Sequence, residues 1–256
     1  MNTKSLLNKL AKKFPKRYAK ENHDFVGLMT GKLPNEIHKI VLCLDCDWEV
    51  FPLIKEEHPD LVLTHHPLVY GLRSRVFKRD PSKKALCDAL DEIGVPVYSM
   101  HTNFDTGKGG MNDALASALQ LEDISNVEGN MMMRGGKLKE EMSPEDFARY
   151  ANKCLNVHHS MLINKGSDKI RSVAIIGGAG SGYWPLAKDA GYDIYISGDV
   201  PHHVRREIVN GKYNYLDMPH EIEKIFIPTM KKLIQEMDES LEIVCIDHEV
   251  EPKVIL

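Results

Sequence analysis

The chain has 256 residues, 43% of them hydrophobic and 27% charged, with 33 Lys and Arg against 37 Asp and Glu for a formal charge of −4. That length suits one large domain or two small ones with a sizeable core, and the composition excludes a collagen-like, low-complexity or wholly disordered chain. The slightly acidic balance argues against a general phosphate-backbone binder, which presents a basic face.

In chain order, the opening MNTKSLLNKLAKKFPKRYAK carries Lys every few positions, so it has no signal-peptide hydrophobic region. A membrane-surface helix is one reading of it. The favoured reading is a helix packing Leu6, Leu7, Leu10 and Phe14 on the body. Next come a strand at 40–45, a helix at 48–58, a strand at 61–68, a helix at 81–93 and a strand at 95–102. Pro81 opens the second of these helices and Gly94 follows its end. Helices are then predicted at 110–119 and 143–154, the latter with Ser143-Pro144-Glu145-Asp146 as cap and acidic first turn. Strands at 172–178 and 193–200, a helix at 201–209, a strand at 213–218, a helix at 220–237 and a strand at 242–247 complete the pattern. Several strands are continuous apolar runs, as parallel strands covered on both faces are. The alternation predicts an α/β fold of two lobes with mainly parallel sheets and right-handed crossovers. The segment 126–136 (NVEGNMMMRGG) breaks the pattern and is read as a junction. The first lobe is therefore placed at 1–125 with 214–256, and the second at 126–213. No apolar run reaches the roughly 18 residues that span a bilayer, so no membrane partner is expected. Five scattered cysteines, an odd number, argue against a disulfide framework and fit a cytoplasmic protein.

Three histidine clusters fall at the ends of predicted strands, the edge where ligands bind open α/β sheets. The first is Thr64-His65-His66-Pro67. Neighbouring residues of an extended strand point to opposite faces, so both imidazoles reach one centre only if the chain bends there; two satisfied strand-end histidines are the alternative. The second is His101-Thr102-Asn103-Phe104-Asp105. Asp105 can bridge two cations through its two oxygens, or merely cap the turn into Gly107-Lys108-Gly109-Gly110. The third is Asp217-Met218-Pro219-His220-Glu221-Ile222-Glu223. His220 and Glu223 share a helix face one turn apart, although an acidic first turn answering the helix dipole is the plainer explanation. Taken together, the clusters point to a metal site. His65, His66, Asp105, His220 and Glu223 exceed what one tetrahedral zinc needs, so two ions are expected.

Other features weigh less. Ile176-Gly177-Gly178-Ala179-Gly180-Ser181-Gly182 follows a strand and is read either as a phosphate cradle of backbone N–H groups or, since it meets no nucleotide fingerprint, at least equally as a tight, closely packed turn. Asp199, His202 and His203 either line the same cavity or cap the helix from Pro201. Cys43 and Cys46 form a CxxC inside an apolar strand and are read as core. Arg205-Arg206, Lys231-Lys232 and the basic N-terminus are read as solvated helix faces, so nucleic acid is not an expected partner.

These clusters, in this order, resemble the Nif-three-like family, also known as type 2 GTP cyclohydrolase I homologues, over nearly the whole chain. His23-Asp24-Phe25-Val26-Gly27-Leu28 is similar to the family's WDNVGL element, departing at His23 and Phe25. Leu44-Asp45, Thr64-His65-His66-Pro67-Leu68, His101-Thr102-Asn103-Phe104-Asp105 and Ser197-Gly198-Asp199-Val200 resemble later elements. Asp217 to Glu223 resembles the final one, with Pro219 where many members have Gly and a shorter step from His to Glu. That step leaves Glu221 as the rival carboxylate, with Glu223 favoured by its face. The resemblance implies metal ligation by His65, His66, Asp105, His220 and Glu223, with Asp105 as the bridge and His101 orienting a ligand or water. It also implies a ring-shaped homohexamer. The leading expectation is a dinuclear hydrolase using Zn, Fe or Mn. Its paired cations, about 3.5 to 4 Å apart, acidify a water. GTP, a small nucleotide, would be attacked at the purine C8, with His101 shuttling a proton. The rival expectation is a non-enzymatic metal-binding assembly or partner-binding protein.

Overall fold

In the computed structural model, which describes residues 1–255, the strands are β1 (Gly27–Thr30), β2 (Lys39–Cys43), β3 (Leu61–Thr64), β4 (Val97–Ser99), β5 (Glu122–Asn126), β6 (Arg134–Met142), β7 (Met161–Ile163), β8 (Ile170–Ile175), β9 (Ile194–Gly198), β10 (Asn214–Met218) and β11 (Glu242–Cys245). Contacts group them into two units. One is Met1–Gly110 with Phe226–His248; the other is Met111–Ile225 with the segment from Glu249.

The first unit carries a sheet ordered β1-β4-β3-β2-β11, in which β4, β3, β2 and β11 run parallel and β1 lies antiparallel on the edge. β3 is buried along its whole length. Successive side chains of a strand face opposite ways. Thus Val41 and Cys43 join the core cluster of Val62, Leu86, Leu90 and Val97, while Ile40 and Leu42 are buried on the opposite face. The opening helix, Thr3–Lys13, is capped by the Asn2 side chain, which accepts from the Ser5 amide at 3.1 Å. It buries Leu6 and Leu10, with Phe14 just past its end, and half-buries Leu7. Its apolar face is thus spent on the protein body, as the favoured reading expects. Helix Pro81–Glu92 starts under an Asp80 cap and buries Leu86, Cys87 and Leu90; Gly94, at φ +72°, ends it in a conformation glycine adopts without strain.

The second unit carries a sheet ordered β5-β6-β8-β9-β10-β7. Its centre, β8-β9-β10, is parallel; β6 and β5 on one side and β7 on the other are antiparallel. Its core includes Ala174, Ile176, Tyr195, Ile208 and Tyr215. β10, placed with the first lobe by the sequence, pairs here between β9 and β7, with Tyr215 opposite Tyr195. β5 (Glu122–Asn126) also belongs to this sheet. The expected junction at 126–136 is instead the turn between β5 and β6, with Asn126 opposite Arg134. Asn130 Oδ1 accepts from the amides of Met132 and Met133 at 2.8 and 3.0 Å, closing that turn. Polar, mostly exposed β5 lacks the apolar alternation that would have revealed it. The predicted helix 220–237 divides into a 3-10 turn, His220–Ile225, and an α-helix, Phe226–Met237.

Arg134 is a fully buried charge held by Asp113, with Nε to Oδ1 at 2.7 Å and further bonds to the carbonyls of Met131 and Met132. Removing one partner of a buried ion pair strands the other, a cost of about 3 kcal/mol. Asp113→Ala should therefore lower unfolding stability in urea by that order. Lys84→Ala, which removes an exposed helix pair with Asp88, should change it by less than about 0.5 kcal/mol.

Candidate metal centre

His65 and His66 follow β3 directly. The backbone turns there because the His66 amide donates to Leu44 O at 3.0 Å, while Thr64 Oγ1 donates to His66 O at 2.8 Å. Strand geometry ends at Thr64, so the two imidazoles escape the opposite-face rule. Their ring centroids lie 5.0 Å apart. His65 is 0% exposed and its Nδ1 lies 2.9 Å from Met100 O. A carbonyl only accepts, so Nδ1 is the protonated nitrogen and Nε2 carries the lone pair in the neutral ring. His66 Nδ1 lies 2.6 Å from Asp45 Oδ2, and the same logic directs its Nε2.

His101 ends the segment after β4 and caps helix Thr102–Thr106. Its Nδ1 lies 2.8 Å from Asp24 Oδ2. Asp24 also accepts from the Thr102 amide, Thr102 Oγ1 and the Phe25 amide. Burial pushes the Asp24 carboxyl up, but the bond and charge of His101, with Thr102 and Phe25, outweigh it and hold the group below the ordinary Asp value. His65, His66 and His101 each offer a ligand atom within 4.8 Å of the others. Asp105, on the short helix after His101, places Oδ1 3.5 Å from His65 Nε2. The structure thus brings His65, His66, His101 and Asp105 together.

In the second unit, His220 and Glu223 sit on the 3-10 turn after β10. Side chains three apart eclipse in a 3-10 helix, and His220 Nε2 meets Glu223 Oε2 at 3.0 Å. Glu223 is buried, at 4% exposure, and is the carboxylate that faces His220. Asp199 takes the other ring nitrogen, with Nδ1 to Oδ2 at 2.5 Å. The bond from Glu223 leads the causes that raise His220 to a pKa of about 9; burial opposes it, and Asp199 adds to it.

In each unit the donors are of the kind a divalent cation takes. Four imidazoles have Nδ1 anchored on a carbonyl or carboxylate, the outer arrangement that fixes tautomer and ring orientation in metal-binding histidines. Carboxylate oxygens of Asp105 and Glu223 stand beside two of the Nε2 atoms, and mixed imidazole and carboxylate ligation is compatible with Zn, Fe or Mn.

Residues 1–252 match the family described as Duf34/NIF3 (NGG1p interacting factor 3). The chain belongs to this family. A "GTP cyclohydrolase 1 type 2 homolog" of Clostridium perfringens is 31% identical over 233 residues, covering 88% of each chain. Among solved structures, a Bacillus cereus protein related to NIF3 superposes with a TM-score of 0.89 at 20% identity, over 100% of this chain and 99% of that one. Reduced HcgD from Methanocaldococcus jannaschii gives a TM-score of 0.80 at 27% identity, over 96% and 98%.

The Gly-rich stretch after β8 has a packing role within this centre. A Cβ at Gly178 would lie 2.1 Å from Glu223 Oε1 and 3.3 Å from His220 Cε1, and Gly178 sits at φ +64°. Glycine there lets the buried carboxylate lie against the backbone. His202 and His203 are exposed on helix His202–Asn210. Sequence reasoning gave no role to Asp24 or Asp45 and left Asp199 between two, although each stands in a motif quoted above; their task shows only through contacts far along the chain.

Gly178→Ala should displace the Glu223 carboxylate; metal uptake in isothermal titration weakened at least about tenfold is the outcome expected of a position that holds metal. A second expectation concerns the metal-free chain. The raised pKa of His220 contributes stability that is fully present below about pH 6.5 and lost as pH rises through about 9. In chelator, the melting-temperature advantage of the native chain over His220→Gln should shrink between pH 6 and pH 10.

Proposed function

We propose that this chain is a metal-dependent hydrolase of the kind its relatives' shared name describes, holding two divalent ions through His65, His66, Asp105, His220 and Glu223. The observation that carries this reading is the uniform anchoring of Nδ1 at His65, His66, His101 and His220. A bound cation pair supplies Lewis acidity and an acidified water. Asp45, Asp199 and the Met100 carbonyl hold the ligand rings in the tautomer that presents Nε2. Asp105, with two carboxylate oxygens, would be among the residues that hold the ions. His101 takes a proton at Nε2 and returns it, while Asp24 holds its Nδ1–H and stabilises the imidazolium that forms between. A small nucleotide, GTP by the relatives' name, is the substrate we favour, attacked by water at an electrophilic carbon of its ring. The five thiols, none of them in a disulfide among the described residues, favour a reducing cytoplasm. The family resemblance favours a homo-oligomeric ring of six chains.

Elemental analysis of protein purified without chelator tests the site: about two equivalents per chain are expected. His65→Ala should lose metal and turnover together; metal lost with full turnover would show the metal is not catalytic. His101→Gln should keep the metal and lower kcat by about a hundredfold or more. Loss of metal in that variant would make His101 a fourth imidazole ligand, as its place within 4.8 Å of His65 and His66 allows. Metal retention with nucleotide turnover no higher than in a variant lacking His66 and Asp105 would favour a metal-binding assembly that is not an enzyme.

A further inference from the structure

A cavity of about 610 Å³ opens in the first unit, lined by Lys16, Lys20, Asp24, Phe25, Met29 and Arg73 among others. Its volume is that of a small-molecule site. Three of its lining side chains are cationic and exposed: Lys16, Lys20 and Arg73. Among the described residues none of the three is in an ion pair with an acid. Arg73 directs one nitrogen to the Met29 carbonyl and stacks on Phe77 at 5.0 Å, which leaves guanidinium donors available on the cavity side. Lys16 lies over the Tyr98 ring at 5.2 Å and is crowded by the backbone at Gly27, where a Cβ would come within 2.7 Å of Nζ. Lys16, with Tyr98, also lines a second cavity, so this ammonium stands on the border of the two.

Asp24 is the one acid of the lining, and it faces away. Its side chain is 2% exposed, and its oxygens accept from His101, the Thr102 amide and hydroxyl, and the Phe25 amide. Its charge is therefore met by donors on the protein side, and the cavity presents a net positive surface. Phe25, 38% exposed, forms part of the lining. Tyr70, 51% exposed, meets Phe25 edge to face at 5.6 Å and the His101 ring at 6.3 Å. One large exposed aromatic thus lines the cavity, and a second links it to the His101 ring. Lone apolar residues on a surface need no account, but a paired aromatic platform beside unpaired cations has the form of a site for a flat, anionic ligand.

From this juxtaposition we propose that the cavity binds a phosphorylated aromatic heterocycle, its phosphates on Lys16, Lys20 and Arg73 and its ring against Phe25 and Tyr70. The inference deepens the hydrolase reading, because Asp24 is shared: it lines the cavity and anchors His101. It does not need the metal to be tested. The probes are GTP and inorganic tripolyphosphate, titrated calorimetrically into the full chain stripped with chelator. GTP should bind, more weakly as ionic strength rises. Lys20→Glu with Arg73→Glu should weaken it at least about tenfold, the effect of losing charge-assisted contacts. Metal content of that variant, measured in parallel, should stay that of the native chain, and its thermal unfolding should remain cooperative. Phe25→Ala should weaken GTP several-fold and leave tripolyphosphate unchanged. No binding of GTP by the native chain, or equal affinity in the charge-reversed variant, overturns the proposal. Equal affinity for both probes with no effect of Phe25→Ala overturns the aromatic part. Failure of the hydrolase reading is seen separately, as chains without metal or turnover that still bind GTP.

Discussion

The structure depends on a constraint of imidazole chemistry. A neutral ring has one N–H and one lone pair, and whichever nitrogen is given an acceptor becomes the N–H. Strand order supplies those acceptors. β3 lies between β4 and β2. His65, the first residue past β3, bonds toward the end of β4 at Met100 O, while His66, the next, bonds toward the end of β2 at Asp45. Consecutive residues that would point to opposite faces are instead divided between two neighbouring strands. The second sheet repeats the device. β10 lies beside β9, and His220, just past β10, bonds Asp199, just past β9. Parallel strands place their carboxyl ends along one edge, so each histidine finds its anchor one strand away. A parallel centre is thus a requirement of the site as well as of the core.

Burial of the carboxylates adds the electrostatic side. Glu223 is buried, where an isolated charge would be expensive. Its imidazolium partner answers that cost, and Gly178 supplies the space. In an ideal α-helix residues three apart are offset around the axis; the 3-10 turn eclipses them and brings His220 and Glu223 to hydrogen-bond distance. The tightened turn is itself a product of local sequence. Pro219 precedes it and lacks an amide, and the Ile222 amide bonds back to Pro219 O at 3.2 Å.

The strand-end histidines were legible because each follows a continuous apolar run, and their abrupt polarity marks the strand's end. The capped helices at Asp80-Pro81 and Ser143-Pro144 were legible for local reasons as well. The anchors were less so. Asp24 and His101 are separated by 77 positions, Asp45 and His66 by 21, and no local pattern links an acid to an imidazole across such spans. β5 and β6 escaped notice because an edge pair is only partly buried, and EDISN shows no alternation. Three consecutive methionines and two glycines looked like a linker, yet Met133 and Arg134 are buried inside a hairpin. The split of 220–237 was hidden for the opposite reason: the apolar spacing continues smoothly from Ile222 through Ile234, and only the hydrogen bonding changes.

Asp24 joins the two halves of the functional argument. A carboxylate at the wall of an anion cavity would repel the ligand if its oxygens faced that ligand. Here four donors, the His101 ring among them, absorb the acid's charge, because each N–H or O–H aimed at Oδ1 or Oδ2 lowers the negative potential on the other side. One hydrogen-bond set therefore does two tasks. It fixes the tautomer of His101, and it leaves Lys16, Lys20 and Arg73 without an opposing charge at the cavity surface. Asn would keep the shape and release the charge, but would turn an acceptor into a donor toward Thr102. The chemistry of the histidine and the sign of the cavity are consequently set by the same side chain.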